Sequence, residues 1–400
     1  MIKKLSIISI ILILLGLGVW YFFRGSSSPS VSQTLSNILP FGSGGNSTSP
    51  GTNAQNGSTS GVGSNGTPVA HLFKISDIPV AGATALIKNG SLVVRYVERA
   101  TGHIYDVDPV SLAKTEIVNT TIPKVYEAVF KPGGNMVIFR TLRADGETVD
   151  SSSIVLVPPT GTTTSDMYTT KTTGLPANIS ELSNGSTTIF YTLRNFPQIV
   201  TSLFDGTKAA TIFSSAFDEW RLSAAGDASV VVTAKASTDV DGYSYSLTKA
   251  GNLTKLLGPL PGLTVLSNSN LTRIAYSYTT GGETDFATQN LSTGTTYAVR
   301  PATLAEKCVW STIVKSVIYC GAPVQGIQSG EPDLWYKGIS HYSDRIWKFD
   351  TDADFVNAVA DPKHDFNIDI DAEHLFLSPK EDYLFFQNKN DLTLWALKLN

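Results

Sequence analysis

The chain has 400 residues, 42% of them hydrophobic, and its 30 Lys and Arg against 34 Asp and Glu give a formal net charge of −4. That hydrophobic share is ample for a core. A pI near 5.8 excludes an electrostatic case for nucleic acid, which is recognised through a basic stripe or patch.

In chain order, Lys3 and Lys4 precede an apolar run from Leu5 to Phe23 that stops at Arg24. A run of roughly 19 residues spans the hydrocarbon layer of a bilayer, and Trp20-Tyr-Phe-Phe23 suits its interfacial belt. A cleaved signal peptide has a shorter apolar region and small residues at the cut, and no Ala-x-Ala occurs here. Residues 1–24 are therefore expected to be a retained signal anchor. Lys3 and Lys4 would stay cytoplasmic, which puts the rest outside the cytoplasmic membrane in a single-pass arrangement. Residues 25–70, rich in Ser, Gly, Asn and Thr and lacking Asp, Glu and Lys, have too little apolar surface to fold. They are expected to be a disordered tether reaching about 35–40 Å. Its small apolar island, Asn37 to Gly42, is either a chance cluster or a docking segment.

From residue 71 onward one phrase returns seven times: a short strand, a tight turn, then a strongly apolar strand. It runs Ala83–Arg95, Tyr126–Phe139, Ile179–Tyr191, Glu219–Val232, Leu263–Tyr276, Cys308–Cys320 and His374–Phe386. The markers Gly90, Gly134, Gly185, Gly226, Asn270 and Lys315 are spaced roughly 40–50 residues apart, the interval of one four-stranded blade. The longer step to Lys380 implies an insertion. The runs after the turns are continuous rather than alternating, as for strands buried on both faces. The fold class implied is all-β, a seven-bladed β-propeller over residues 71–400. The last unit supplies three strands before Asn400, and His71–Ser76 is a spare strand ahead of the first repeat. That strand is expected to complete the seventh blade and close the ring.

Loops between second and third strands should emerge on one face. They carry Asp145, Glu147, Asp150, Asp239, Asp241, Glu283, Asp285, Glu331 and Asp333, an expected acidic rim. The null is that turns are simply polar. The sixth-blade loop Gly321–Ser340 adds Trp335 and Tyr336, aromatics of the kind that anchor interfaces, or alternatively pack over the channel. The candidate binding residues are thus Trp335, Tyr336, Asp145, Glu147, Asp239, Asp241, Glu283 and Asp285. If their hairpin turns at Val314, Cys308 and Cys320 oppose each other within disulfide range, although two buried thiols or a metal pair are alternatives. Asp350-Thr-Asp-Ala-Asp354 resembles the start of a calcium loop but lacks its Gly and Glu, and a solvated acidic connection is the other reading. Asp365–Asp371 alternates strictly and reads as a strand. The five His are scattered, and no nucleophile elbow, zinc helix or phosphate loop is present. No cofactor is implied.

Leu377-Ser-Pro-Lys-Glu-Asp-Tyr-Leu-Phe-Phe386 resembles the WD40-like repeat of TolB-type periplasmic propellers across residues 71–400. Lys307–Ser311 and Trp335–Gly338 are also similar to uncharacterised anchored propellers of small-genome bacteria. TolB carries an α/β domain ahead of its propeller and works with a peptidoglycan-associated lipoprotein. This chain has an anchor and tether there, so that partnership does not carry over. The Ser-x-Asp-x-Gly-x-Thr-Trp repeat of sialidases is absent. The implied function is a membrane-anchored extracytoplasmic scaffold binding a protein or envelope partner. The alternative is an enzyme, a hydrolase or lyase on envelope polysaccharide, with facing carboxylates in the channel.

Overall fold

The computed structural model describes residues 71–159, 167–194, 197–217 and 219–399. The expected anchor and tether lie outside the described residues. Among the described residues twenty-eight strands form seven four-stranded antiparallel sheets, six of them built of four consecutive strands and the seventh of the last three strands with the first. The seven hairpins read from the sequence are the first two strands of the seven blades. In blade one, Asn89 and Gly90 both have positive φ, 52° and 83°. This is the geometry that an Asn-Gly hairpin turn supplies without strain.

Hydrophobic packing is distributed rather than central. Seven clusters of buried side chains each join two neighbouring blades, such as Val97 and Ile104 of blade one with Val125 and Phe139 of blade two. The second strands are sandwiched in these seams, which is why they are apolar on both faces. Tyr383–Asn388 is buried throughout. Fourth strands form the outer edge and vary in polarity: Thr169–Gly174 is polar and exposed along its whole length, whereas Phe355–Ala360 exposes Phe355 and Val356. A polar edge such as Thr169–Gly174 offers little apolar surface for unwanted pairing. Packing between blades is close enough that a Cβ on Gly82 would lie 1.9 Å from the Ala128 carbonyl oxygen.

Closure follows the sequence expectation. The strand β1 (Leu72–Ser76) pairs antiparallel with β28 (Thr393–Lys398), with Leu72 opposite Leu397 and Phe73 opposite Ala396. Blade seven therefore combines both ends of the ordered chain. Cys308 and Cys320 are directly opposed and form a disulfide. The sixth blade carries the insertion, which contains a one-turn helix, Asp333–Tyr336.

One expectation is corrected. Asp365–Asp371 is not a strand: Pro362–Phe366 is a short helix and the rest is a connection into blade seven. Pro362 occupies the first turn, the Asp361 side chain accepts from the His364 amide, and Asn367 ends the helix in the left-handed region at φ 53°. These start and stop signals override the alternating pattern. In the neighbouring acidic stretch, Asp350 accepts from the amides of Asp352 and Ala353, and Asp352 pairs with Arg273 at 2.7 Å.

Candidate functional site at the channel mouth

The first strand of each blade faces the ring axis, and pairing register places one residue per blade on a common tier. Gly82 opposes Val97, Glu127 opposes Arg140, Glu181 opposes Thr192, Arg221 opposes Thr233, Thr264 opposes Ser277 and Glu373 opposes Gln387. In blade six the corresponding residue is Lys307, just ahead of the Cys308–Cys320 pair. Above this tier all seven blades line a cavity of about 920 Å³. Eight charged side chains stand in its walls among apolar ones such as Leu182, Leu222 and Leu263.

Most of these charges are committed to neighbours. Arg140 Nη1 donates to Glu127 at 2.6 Å, and Arg140 Nη2 donates to the Ile179 and Ser180 carbonyls of the next blade. Arg221 reaches back to Glu181 at 3.3 Å. Its guanidinium lies 4.8 Å from the Tyr336 ring centre, and the Tyr336 hydroxyl donates to Glu306 at 2.9 Å. The chain Glu127–Arg140, Glu181–Arg221, Tyr336–Glu306 thus links blades two, three, four and six through the mouth.

Electrostatics follow from this arrangement. Burial pushes the Glu181 carboxyl up to about 7 although Arg221 opposes the shift. Burial works against the Arg221 guanidinium, but Glu306 and Glu181 outweigh it and hold the charge firmly. Burial, with Glu306 beside it, raises Tyr336 well above the ordinary phenol range.

Two cations differ. Arg99 donates to the Tyr126 carbonyl at 2.6 Å, and Lys389 donates to the Trp335 carbonyl at 2.8 Å while lying 3.5 Å over the Trp335 ring. Among the described residues neither forms an ion pair with a carboxylate. Burial lowers both from their ordinary values. They occupy equivalent positions just past the second strands of blades one and seven, which are neighbours across the closure. Both are half-buried near Glu373 of the same cavity, which offsets part of their desolvation, and an incoming anion would offset more.

The residues singled out in the sequence divide. Trp335 and Tyr336 line the cavity, but Trp335 is only 5% exposed and its indole nitrogen donates to Asp371. Among the rim carboxylates, Asp145 accepts from the amides of Glu147 and Thr148 and from the Thr148 hydroxyl, which holds it near 2. Asp150 pairs with Arg143 and Asp285 with Arg300. Asp333 accepts from Thr238, and Glu331 is buried, accepting from the Trp335 amide and the Tyr342 hydroxyl. Glu147, Asp239, Asp241 and Glu283 are exposed. Among the described residues no three His, Cys, Asp or Glu group as a metal site.

Sequence reasoning missed Arg99, Arg140, Arg221, Lys389 and the carboxylates between them. Aligning the repeats on their second strands would have exposed them, because Glu127, Glu181, Arg221, Lys307 and Glu373 fall at one repeat position.

The Glu181 shift has a thermodynamic consequence. Its folded-state carboxyl titrates near 7 against an ordinary value of 4.5. Between those values the folded chain holds a proton that the unfolded chain has lost, so stability falls as pH rises through the window. Urea midpoints measured at about pH 5 and pH 7.5 should fall with pH in the wild type, and less in Glu181→Gln. An identical slope in the two proteins would contradict the assignment.

No protein-family model matches the chain, and no curated protein matches it. Among solved structures the propeller is similar to an oligogalacturonate lyase in complex with manganese, at 11% identity and a TM-score of 0.54, covering 82% of this chain and 93% of that one. Hydrazine synthase from Kuenenia stuttgartiensis matches at 11% identity and a TM-score of 0.52, covering 84% of this chain and 99% of that one. TolB from Acinetobacter baumannii matches at 11% identity and a TM-score of 0.40, covering 68% of this chain and 62% of that one. At these identities the likeness establishes the fold alone. The chain is a seven-bladed β-propeller whose structural neighbours include TolB and other propeller proteins.

Proposed function

We propose that the chain is a membrane-anchored binding scaffold that displays its propeller outside the cytoplasmic membrane. Its channel mouth receives an anionic group, carboxylate or phosphate, of a cell-envelope partner. The observation that carries this reading is the pair Arg99 and Lys389, two partly desolvated cations without carboxylate partners in a cavity large enough for a ligand. Tyr336, lying across the same mouth, supplies an aromatic wall. Binding is favoured over hydrolysis or lysis because Glu127 is tied to a guanidinium and Glu306 to a phenol, which holds both in place for structure. The anchor and tether would give the propeller reach across the envelope space.

The test is calorimetric titration of the purified protein with two defined anionic probes, a poly-glutamate peptide and a carboxylated oligosaccharide. Loss of charge-assisted hydrogen bonds costs about 1.5–3 kcal/mol each. Arg99→Ala/Lys389→Ala should therefore weaken binding by roughly tenfold or more, and added salt should weaken wild-type binding. Binding that ignores both the substitutions and the salt would reject the channel mouth as the site.

A further inference from the structure

Beneath the cavity floor three charged side chains are sealed from solvent. Lys307, Asp344 and Asp371 are each 0% exposed. The Lys307 amine lies 2.8 Å from Asp344 Oδ2 and contacts Asp371 Oδ1 directly. Trp335 and Tyr342 enclose it, with ring centres 5.2 and 5.5 Å from Nζ. Two details exceed what an ion pair needs. Asp371 Oδ2 accepts from the Tyr342 amide at 3.2 Å, and the Trp335 indole nitrogen donates to the same carboxylate, shared between Oδ2 at 3.1 Å and Oδ1 at 3.2 Å. Asp344 Oδ1, although buried, has no hydrogen-bond partner. Packing leaves no slack, since a Cβ on the facing Gly321 would lie 2.9 Å from Asp344 Oδ2.

We propose that Lys307 and Asp371 are joined by an intramolecular isopeptide bond, formed after folding with Asp344 as the acid–base catalyst. In the net-neutral site Asp344 carries a proton, and the Lys307 ammonium passes one to Asp371. The Nζ lone pair then attacks the Asp371 carboxyl carbon. The Trp335 and Tyr342 donors stabilise the negative charge that develops on Oδ2, in the manner of an oxyanion hole. The C–Oδ1 bond breaks as Asp344 delivers a proton to the departing hydroxyl and takes one from nitrogen. The products are a secondary amide and one water, with no change of oxidation state and Asp344 regenerated.

The surroundings favour this course. Burial raises the Asp344 carboxyl to about 6, so it holds its proton longer than an ordinary Asp. The two carboxylates hold the Lys307 ammonium above its usual value against burial, so the free amine arises by proton transfer inside the site. Amide formation also replaces buried opposite charges, whose desolvation is expensive, with a neutral group. The bond would tie the first strand of blade six to that of blade seven, beside the Cys308–Cys320 disulfide and next to the ring closure.

Mass spectrometry of the full-length reduced protein tests this directly. The wild type should be lighter than its sequence by one water. Trypsin should fail to cut after Lys307 and should release a branched product joining Ile274–Lys315 to His364–Lys380. Because Asp145-Gly146 and Asp241-Gly242 can lose water as cyclic imides, the branched product and not the mass alone assigns the bond. Asp344→Asn, which keeps both reacting groups, should return to full mass, as should Lys307→Met. A wild type of full mass whose chain is cut after Lys307 would overturn the proposal, as would a branch that joins Lys307 to Asp344.

Discussion

Deleting residues 71–77 is expected to open the ring and abolish cooperative unfolding, whereas trimming residues 25–70 ahead of them should leave the melting temperature nearly unchanged. The strand Leu72–Ser76 buries Leu72, Phe73 and Ile75 and covers the hydrogen-bonding edge of Thr393–Lys398. Three such side chains account for about 1.5–3 kcal/mol each. Their sum approaches the whole net stability of a typical domain, about 5–15 kcal/mol. The loss also extends beyond this strand, because blade one packs on blade seven through Phe73 and Ile75 with Val80, Val94 and Val107. Thermal unfolding followed by circular dichroism checks this. Equal melting temperatures for the two truncations would contradict closure by this strand.

Asp106→Ala should be among the most damaging single substitutions. Arg95 and Asp106 are 2% and 5% exposed and meet through two bonds, Nε to Oδ1 at 2.7 Å and Nη2 to Oδ2 at 2.8 Å. The remaining Arg95 nitrogen donates to the Gly134 carbonyl of blade two at 2.7 Å, so the guanidinium also fastens two blades. Burial opposes the Arg95 charge and Asp106 sustains it. Removing the carboxylate strands a buried cation, at a cost of about 3–5 kcal/mol. Replacing both partners, as in Arg95→Met/Asp106→Leu, should cost clearly less because the buried guanidinium goes with its carboxylate, and Lys88, which also pairs with Asp106 at 3.0 Å, is part-exposed and can turn to solvent. Urea unfolding of the three proteins provides the comparison. If Asp106→Ala cost under about 1 kcal/mol, or the double variant were the worse of the two, the pair would not be the clamp described.

The fold is legible in the sequence because each blade repeats a hairpin that cannot bury its apolar face alone. Ala83–Arg95 and His374–Phe386 show the same alternation of turn residues and continuous apolar strand, and both became the inner hairpins of their blades. Closure is legible by subtraction, since one strand was spare at residue 71 and one was missing at the end. The disulfide was one of three readings of the Cys pair, and the register that sets Cys308 opposite Cys320 selects it. Asp365–Asp371 misled because period-two polarity is a weak signal over a few residues, and Asp361-Pro362 with Asn367 encodes a capped helical turn more strongly. The acidic rim overstated its freedom, because loop carboxylates such as Asp145 and Asp285 satisfy their own turns or nearby Arg side chains. The charged channel was hidden for a different reason. Six of the seven blades contribute one polar residue each to the tier, and neither Glu127 nor Arg221 is unusual until the ring brings them together. Lys307, Asp344 and Asp371 lie far apart in sequence and meet only at the junction of blades six and seven.

The central claim, that the channel mouth is the binding face, is tested most directly by site-specific photocrosslinking of the full-length protein in its own cell. A photoreactive residue at His341, which is exposed beside the cavity, should capture an envelope partner. The same residue at Val110, 61% exposed and not part of the cavity lining, should not. The His341 adduct should disappear when Arg99→Ala/Lys389→Ala is added. Adducts formed at Val110 but not at His341, or His341 adducts indifferent to the loss of both cations, would contradict the account.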